Sequence, residues 1–282
     1  MAGKLYIVAT PIGNLEDISS RVIRILNEVD AIFAEDTRVS IKLLSHIGVS
    51  KTLISCHDFN EEARLGELEK WAKEGASIAL ISDAGTPLIS DPGYRFARRA
   101  IELGMQLSAI PGASAPLMAL VGSGLPTERF SFEGFLPEKA GTRKARLEKI
   151  AGDDRTLLFF LPIKDMSRVL PEMIEAFGDR QACLARELSK KFEEYIRGSL
   201  SDILLVSNQR ELKGEAVLVV SGASSIKEKM ESHELQMRLA ELTASGARLK
   251  DAAAILAKES GWASSDIYKM GLELKNRKAG DD

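Results

Sequence analysis

Up to about residue 120, short apolar runs rich in β-branched residues alternate with stretches whose apolar positions recur every three or four residues. The runs predict strands at 5–9, 31–34, 53–56, 78–82 and 106–110. Between them, Ile18, Val22, Ile25, Leu26 and Val29 share one helical face, and 39–46, 61–73 and 93–103 read as further helices. Strands alternating with helices indicate an α/β domain with a largely parallel sheet. The periodicity breaks at Gly122–Pro126 and stays broken to Pro137, which suits a crossover between domains. A second α/β region follows, with strands at 156–161, 182–186 and 216–221, a helix at 167–177, and turns at Gly178-Asp179 and Lys213-Gly214.

From about Lys227 the pattern is polar and helical. Leu249, Ala252, Ala253 and Leu256 line one helix face, and Ile267, Met270, Gly271 and Leu274 another. Gly261-Trp262-Ala263-Ser264 between them is a helix stop followed by a serine cap. This helix-turn-helix-like hairpin either closes a small core or reads nucleic acid. The expected organisation is therefore α/β domains at 1–121 and 122–226 and a helical tail at 227–282.

Composition adds exclusions. With 282 residues, 45% hydrophobic and 28% charged, the chain is that of an ordinary globular protein with room for two cores. Cys56 and Cys183 stand far apart without a CxxC, which excludes a disulfide scaffold or thiolate metal site and fits a reducing cytoplasm. His46, His57 and His233 have no ligand spacing, so no metal is expected. No apolar run approaches the ~20 residues of a membrane span, and Met1 leads directly into Leu5-Tyr6-Ile7-Val8 rather than a signal peptide.

Net charge is −3, so any contact with nucleic acid must be local or made by docking on a larger particle. The best local patch is Lys139, Arg143, Lys144, Arg146 and Lys149, which against Glu138 and Glu148 leaves +3. Such a run is either a phosphate-neutralising surface or a plain solvated helix face. Phe130, Phe132 and Phe135 read as the buried face of a strand rather than as base-stacking residues.

Three loops carry the chemistry. Ser82-Asp83-Ala84-Gly85-Thr86-Pro87-Leu88-Ile89-Ser90-Asp91-Pro92-Gly93 leaves a buried strand at its carboxyl end, where open α/β sheets bind ligands. Gly85 permits close backbone approach, the prolines stiffen the loop, and Asp83 offers a carboxylate to a ribose hydroxyl or an ammonium group. The loop is neither GxGxxG nor a Walker-type phosphate loop, which weighs against nicotinamide enzymes and nucleotidases. Thr10-Pro11-Ile12-Gly13-Asn14 and Pro111-Gly112-Ala113-Ser114-Ala115 also follow strands. The three are either separate turns or the rim of one cleft.

Taken with Leu5–Leu15, Glu35-Asp36-Thr37-Arg38, Ala185-Arg186-Glu187-Leu188-Ser189-Lys190, Lys213-Gly214-Glu215 and Ser265-Asp266-Ile267-Tyr268, these loops resemble the tetrapyrrole methylases, the class III methyltransferases. Gly85-Thr86-Pro87 resembles the branch that modifies ribosomal RNA, where tetrapyrrole-modifying members have Gly-Asp-Pro. The resemblance spans nearly the whole chain. It implies two α/β domains with S-adenosylmethionine in the cleft between them, a homodimer, and 2′-O-ribose methylation of a cytidine in small-subunit (16S) ribosomal RNA, free or in the assembled subunit. It also implies cofactor contacts from Pro11, Asp83, Gly85, Thr86, Pro87, Ile89, Ser114 and Ala115, and a main-chain contact from Leu161.

One segment departs from the family. Where it has a Tyr-Glu-Ser-Pro-His-Arg-like run, this chain has Phe160-Leu161-Pro162-Ile163-Lys164-Asp165, without the carboxylate, histidine and arginine. Candidates for proton transfer and positioning are Glu35 and Asp36 with Arg38, His57 with Asn60, and Glu187 with Lys190; a second family histidine is replaced by Phe59. Each also has a plain structural reading, as an ion pair, a helix cap or an interdomain tie. Two alternatives stand beside RNA methylation. One is a methyltransferase for a tetrapyrrole or related small acceptor, disfavoured by Thr86, the basic run and the helical tail. The other is an RNA- or ribosome-binding protein with weakened catalysis, which the altered segment would favour.

Overall fold

The computed structural model describes residues 3–223, 230–260 and 262–278, and contacts divide the chain into two units, Met1–Gly222 and Ala223–Asp282. The first unit opens with β1 (Lys4–Val8), α1 (Ser20–Glu28), β2 (Ala31–Ala34), α2 (Thr37–His46), β3 (Thr52–Ser55), α3 (Glu61–Lys73), β4 (Ser77–Ile81), α4 (Tyr94–Glu102) and β5 (Gln106–Ile110). The five strands form a wholly parallel sheet in the order β3-β2-β4-β1-β5, with each strand where the apolar runs predict it. Successive side chains on a strand point to opposite faces, and here both faces are covered. Ala31 and Phe33 of β2 pack with Leu68 and Phe96 of α3 and α4, while Ile32 and Ala34 pack with Val22, Ile25 and Leu26 of α1. Side-chain caps set the helix starts: Ser19 accepts from the Val22 N–H and Asp36 from the Arg38 N–H.

The chain then crosses to a second sheet through α5 (Ala115–Ser123), β6 (Phe130–Phe135), α6 (Ala140–Ile150), β7 (Thr156–Phe160), α7 (Met166–Phe177), β8 (Gln181–Arg186), β9 (Glu194–Ser199), α8 (Leu200–Gln209) and β10 (Ala216–Val220). The order is β6-β7-β10-β8-β9; β6 runs parallel to β7 and the other pairs are antiparallel. Leu157, Phe159, Leu184 and Leu218 face α6, α7 and α8, whereas Leu158, Cys183, Ala185, Val217 and Val219 face Ala119 and Leu120 of α5. Helix α5, although it follows directly on the first sheet, is thus a cover of the second.

Part of the stretch expected to be a linker is the edge strand β6. Its aromatic residues share a face, because the bulge between Phe132 and Gly134 leaves Phe130, Phe132 and Phe135 opposite Thr156, Leu158 and Phe160, but that face is not buried: Phe130 and Phe135 are exposed. The elements β9, α5 and α8 escape the periodicity. Helix α5 is apolar nearly all round, and Glu194–Ser199 has only two apolar residues.

The basic run lies on α6, but most of its charge is spent within the fold. Arg143 is buried and makes a bidentate pair with Glu172, at 2.6 and 2.7 Å, while donating to the Pro137 and Glu138 carbonyls. Lys144 pairs with Glu175, and Arg146 pairs with the buried carboxylate of Glu133. Of the five expected phosphate contacts, three are committed to α7 and β6, which sequence proximity alone could not show.

The second unit packs α9 (Ser232–Ala244), α10 (Leu249–Ser260) and α11 (Ser264–Lys278) around Leu235, Leu239, Ala252, Ala253, Leu256 and Ile267. The Trp262 indole N–H donates to the Met230 carbonyl at 2.8 Å. The expected hairpin is therefore two helices of a three-helix cluster with its own core; Gly261 and the expected boundary at 226/227 lie outside the described residues. Among the described residues no helix is long and apolar enough to cross a membrane.

Arg143→Ala should destabilise the fold by roughly 2–3 kcal/mol, below the ~3–5 kcal/mol of a fully buried pair because Glu172 keeps some solvent contact. Urea unfolding would show it as a lower midpoint; an unchanged midpoint would restore Arg143 to the surface patch.

Candidate active site

The carboxyl ends of the parallel strands bring the three loops together. Thr10 and Gly85 exchange backbone hydrogen bonds, Thr10 N to Gly85 O at 2.8 Å and Gly85 N to Thr10 O at 3.0 Å, forming an isolated antiparallel bridge. The Thr10 hydroxyl donates to the Ser82 carbonyl at 3.1 Å, and the Thr86 hydroxyl to the Ala113 carbonyl at 3.1 Å. Gly85 has φ +81°, and a Cβ there would lie 3.3 Å from Ile12 Cγ2, so both conformation and crowding call for glycine. Leu88 and Ser90 in the same loop also have positive φ, 72° and 64°. Left-handed backbone at non-glycine residues costs about 1–3 kcal/mol each and is held only where the surroundings over-determine it.

Against these loops stands the end of the second sheet, and the two enclose a cavity of about 560 Å³. This lies within the range of small-molecule sites, roughly 300–1,000 Å³. Of the expected cofactor contacts, Asp83, Gly85, Thr86, Ile89, Ser114, Ala115 and Leu161 line it. Pro11 and Pro87 belong to the same loops but are not among the lining residues. The Leu161 N–H is taken by the Ala216 carbonyl at 3.0 Å.

The first-sheet wall is acidic. The Asp36 N–H donates to Asp83 Oδ1 at 3.0 Å, and the Asp83 N–H to Glu35 Oε2 at 3.3 Å, so the carboxylates at the ends of β2 and β4 are fixed by each other's backbones. Asp91 is the third carboxylate of this wall. Burial raises all three above the ordinary carboxylate range. Repulsion from Asp91, Asp83 and Asp58 adds to the rise at Glu35, and repulsion from Asp83 and Asp58 to that at Asp91. Perturbed carboxyls gathered in a cleft mark a candidate functional site.

The second-sheet wall is held by Glu187 and Lys190. Lys190 Nζ donates to Glu187 Oε1 at 3.0 Å and Glu215 Oε2 at 2.9 Å, and the Glu215 N–H to Glu187 Oε1 at 3.1 Å. Burial alone would raise Glu187, but the Lys190 bond and the Glu215 N–H outweigh it and hold the carboxyl low. The Lys190 stem lies over Gly13, and the Ser189 hydroxyl donates to the Asp17 carboxylate, joining the two lobes at the cavity's edge. Lys190 lines the cavity; Glu187 supports it from outside.

Other candidates are engaged elsewhere. The Arg38 side chain is largely exposed and forks onto Asp36, the cap of its own helix. Asn60 accepts from the His57 N–H at 2.8 Å and donates to the Ser55 carbonyl at 3.3 Å, so it shapes the turn before α3. His57 does not line the cavity, and its buried Nδ1 has no hydrogen-bond partner among the described residues. Asp91, Phe135, Phe160 and Lys164 line the cavity without having been singled out for it. For Asp91 a signal existed in Ser90-Asp91-Pro92-Gly93, a carboxylate inside a stiff turn; for Phe135 nothing in the sequence marks that its end of the strand is left uncovered.

A parallel lobe and a mixed lobe closing on strand-end loops define a methylase fold, and a family model agrees. Tetrapyrrole (Corrin/Porphyrin) Methylases match residues 4–204, and the chain belongs to that family. Within it, the chain is 42% identical over 275 residues to the ribosomal RNA small subunit methyltransferase I of Haemophilus influenzae, covering 96% of this chain and 97% of that one. It is 40% identical over 279 residues to the protein of that name from Pseudomonas aeruginosa, covering 98% and 99%. Among solved structures, uroporphyrin-III-C-methyltransferase from Thermus thermophilus superposes with a TM-score of 0.55 at 19% identity, covering 78% of this chain and 95% of that one, a likeness of fold.

The raised carboxyls have a measurable cost. Burial makes the charged form of Asp91 costlier in the folded protein than in the unfolded chain, so its charge opposes folding in full above the raised value. That cost fades as pH falls through the raised value and is gone below the ordinary ~3.9 of an unfolded aspartate. Asp91→Asn should therefore raise the melting temperature at pH 7–8 and lose the gain toward pH 4. A variant less stable than the parent at pH 8 would contradict the burial of this carboxyl.

Proposed function

We propose that the protein methylates the ribose 2′-hydroxyl of a cytidine in small-subunit ribosomal RNA, with S-adenosylmethionine as donor. The observation that carries this reading is the cavity itself: three strand-end loops hydrogen-bonded into one rim, facing the second sheet across about 560 Å³. The lining fits the donor. Backbone approaches closely at Gly85, Ala115 and Leu161 give flat apolar contact, and Asp83 and Glu35 give negative charge for an ammonium and a sulfonium. When bound, S-adenosylmethionine supplies a methyl group on a cationic sulfur that leaves as a neutral thioether.

The remaining work belongs to the chain's own residues. Positioning the acceptor oxygen in line is the main contribution, since well-oriented reactants gain several kcal/mol over free ones. The hydroxyl proton needs an acceptor, and a positioned base adds roughly 10²–10⁴-fold. Glu35 and Asp91 are suited to it: both line the cavity, and burial has raised both above their ordinary values. Lys190, neutralised by Glu187 and Glu215, holds the opposite wall in place.

The spent charge of α6 favours the assembled small subunit over free RNA as substrate, since other surfaces then share the docking. A homodimer completes the proposal, its face on α5, where Leu117, Met118 and Val121 are exposed on one side of the helix. The working compartment is the cytoplasm, where ribosomes are assembled.

Incubation of the purified protein with labelled S-adenosylmethionine and undermethylated small subunits, followed by nucleotide mapping, should place label on a cytidine ribose. Label on a tetrapyrrole instead, or subunit binding without transfer, would refute the reading. Gly85→Arg should abolish donor binding in calorimetry while the far-ultraviolet circular dichroism is kept; unchanged affinity would move the donor away from the loops. The transfer rate should fall on acidification with a midpoint above the ordinary carboxylate range of about 4, and Asp91→Asn should lower kcat without matching loss of donor affinity.

A further inference from the structure

We propose that the wall formed by Phe135, Phe160 and Lys164 is the acceptor subsite, where the base of the target nucleotide stacks on Phe135 and a neighbouring phosphate is held by Lys164. The inference rests on the function proposed above and names the residues that select RNA as its acceptor.

Phe135 is 57% exposed yet lines the cavity. A large apolar ring is left this open at the end of a strand because the backbone turns it there: Gly134, with φ +65°, carries the bulge in β6, and bulges beside active sites re-aim the side chains that follow. The ring is rigidly backed. Its centroid lies 5.0 Å from that of Phe160, which in turn meets Phe132 edge-on at 5.1 Å. One face of a supported aromatic ring opening into a cavity is a stacking platform for a flat heterocycle.

Lys164 belongs to the segment where this chain departs from its family, and it lines the same wall. Among the described residues it has no ion-pair partner: the adjacent Asp165 is taken by Arg168 at 2.8 Å. The other lysine of the cavity, Lys190, is already bound by Glu187 and Glu215. Lys164 is thus the cavity cation with charge to offer a ligand. The opposite wall, with Glu35, Asp83 and Asp91, repels a phosphodiester and attracts a cationic donor. Charge therefore sorts the two substrates, with the polyanion on the second lobe and the ribose hydroxyl directed at the carboxylates.

The test uses the full-length protein, Phe135→Leu, Phe135→Trp, Lys164→Ala and Lys164→Arg, with undermethylated small subunits. Subunit affinity would be read by co-sedimentation with S-adenosylhomocysteine present, KM and kcat by methyl transfer, and donor affinity by calorimetry. Phe135→Leu, which keeps the apolar packing, and Lys164→Ala should each raise KM and weaken subunit binding about tenfold, near the low end for one base–aromatic stack. Donor affinity should hold within about twofold, and Phe135→Trp and Lys164→Arg should recover the loss, as one stack or one phosphate contact predicts. Unchanged KM in Phe135→Leu and Lys164→Ala, or leucine serving as well as tryptophan, would overturn the subsite. Donor affinity falling in step with KM would assign the wall to S-adenosylmethionine and overturn it too. A wild-type protein that transfers no label to RNA removes the functional reading and the subsite together, whereas transfer with insensitive variants removes the subsite alone.

Discussion

The structure depends on two backbone hydrogen bonds between Thr10 and Gly85. Each is worth only about 1 kcal/mol net, but together they hold the ends of β1 and β4 in a fixed register beyond the sheet, where no ladder would otherwise reach. The Thr86 hydroxyl extends the same lacing to the loop after β5. Strain at Leu88 and Ser90 is tolerable because this lacing, and the cores on either side of the sheet, leave the loop no easier path. A cavity with a rigid rim follows.

Rigidity alone would make a binding pocket; polarity makes it directional. Backbone N–H groups fix Glu35 and Asp83, and burial with mutual repulsion keeps their charge costly. The second lobe answers with Lys190 held by two carboxylates and Lys164 held, among the described residues, by none. The fold is thus a dipolar slot whose acidic side carries a cost in stability.

How much of this was legible in the sequence depends on the range of the interaction. The five parallel strands and the three loops could be read directly, because apolar runs and Gly/Pro turns are local signals. Asp83 and Gly85 followed from lying in those turns, whereas Ser114 rested on the resemblance to the family. The role of Arg143 could not be read, since its partner Glu172 is 29 positions away on another helix. Phe135 was misplaced for a different reason: it does share a face with Phe130 and Phe132, but it stands at the end of an edge strand where nothing covers that face, and an apolar pattern reports a shared face rather than its cover. Helix α5 was hidden by being apolar on nearly every side, a composition that suits a segment wedged between a sheet and a neighbouring surface.

That helix has a mechanical consequence. Strand β5 ends at Ile110 and α5 begins at Ala115, so the peptide joining the lobes is only Pro111–Ser114, pinned midway by Thr86. A tether this short, with the Ser189–Asp17 contact at the cavity's edge, leaves little chain for the lobes to part. For the function proposed above, a paired nucleotide would then have to do the moving, leaving its stack at a cost of a few kcal/mol. Target choice would in that case rest on the suppleness of the RNA as well as on the protein.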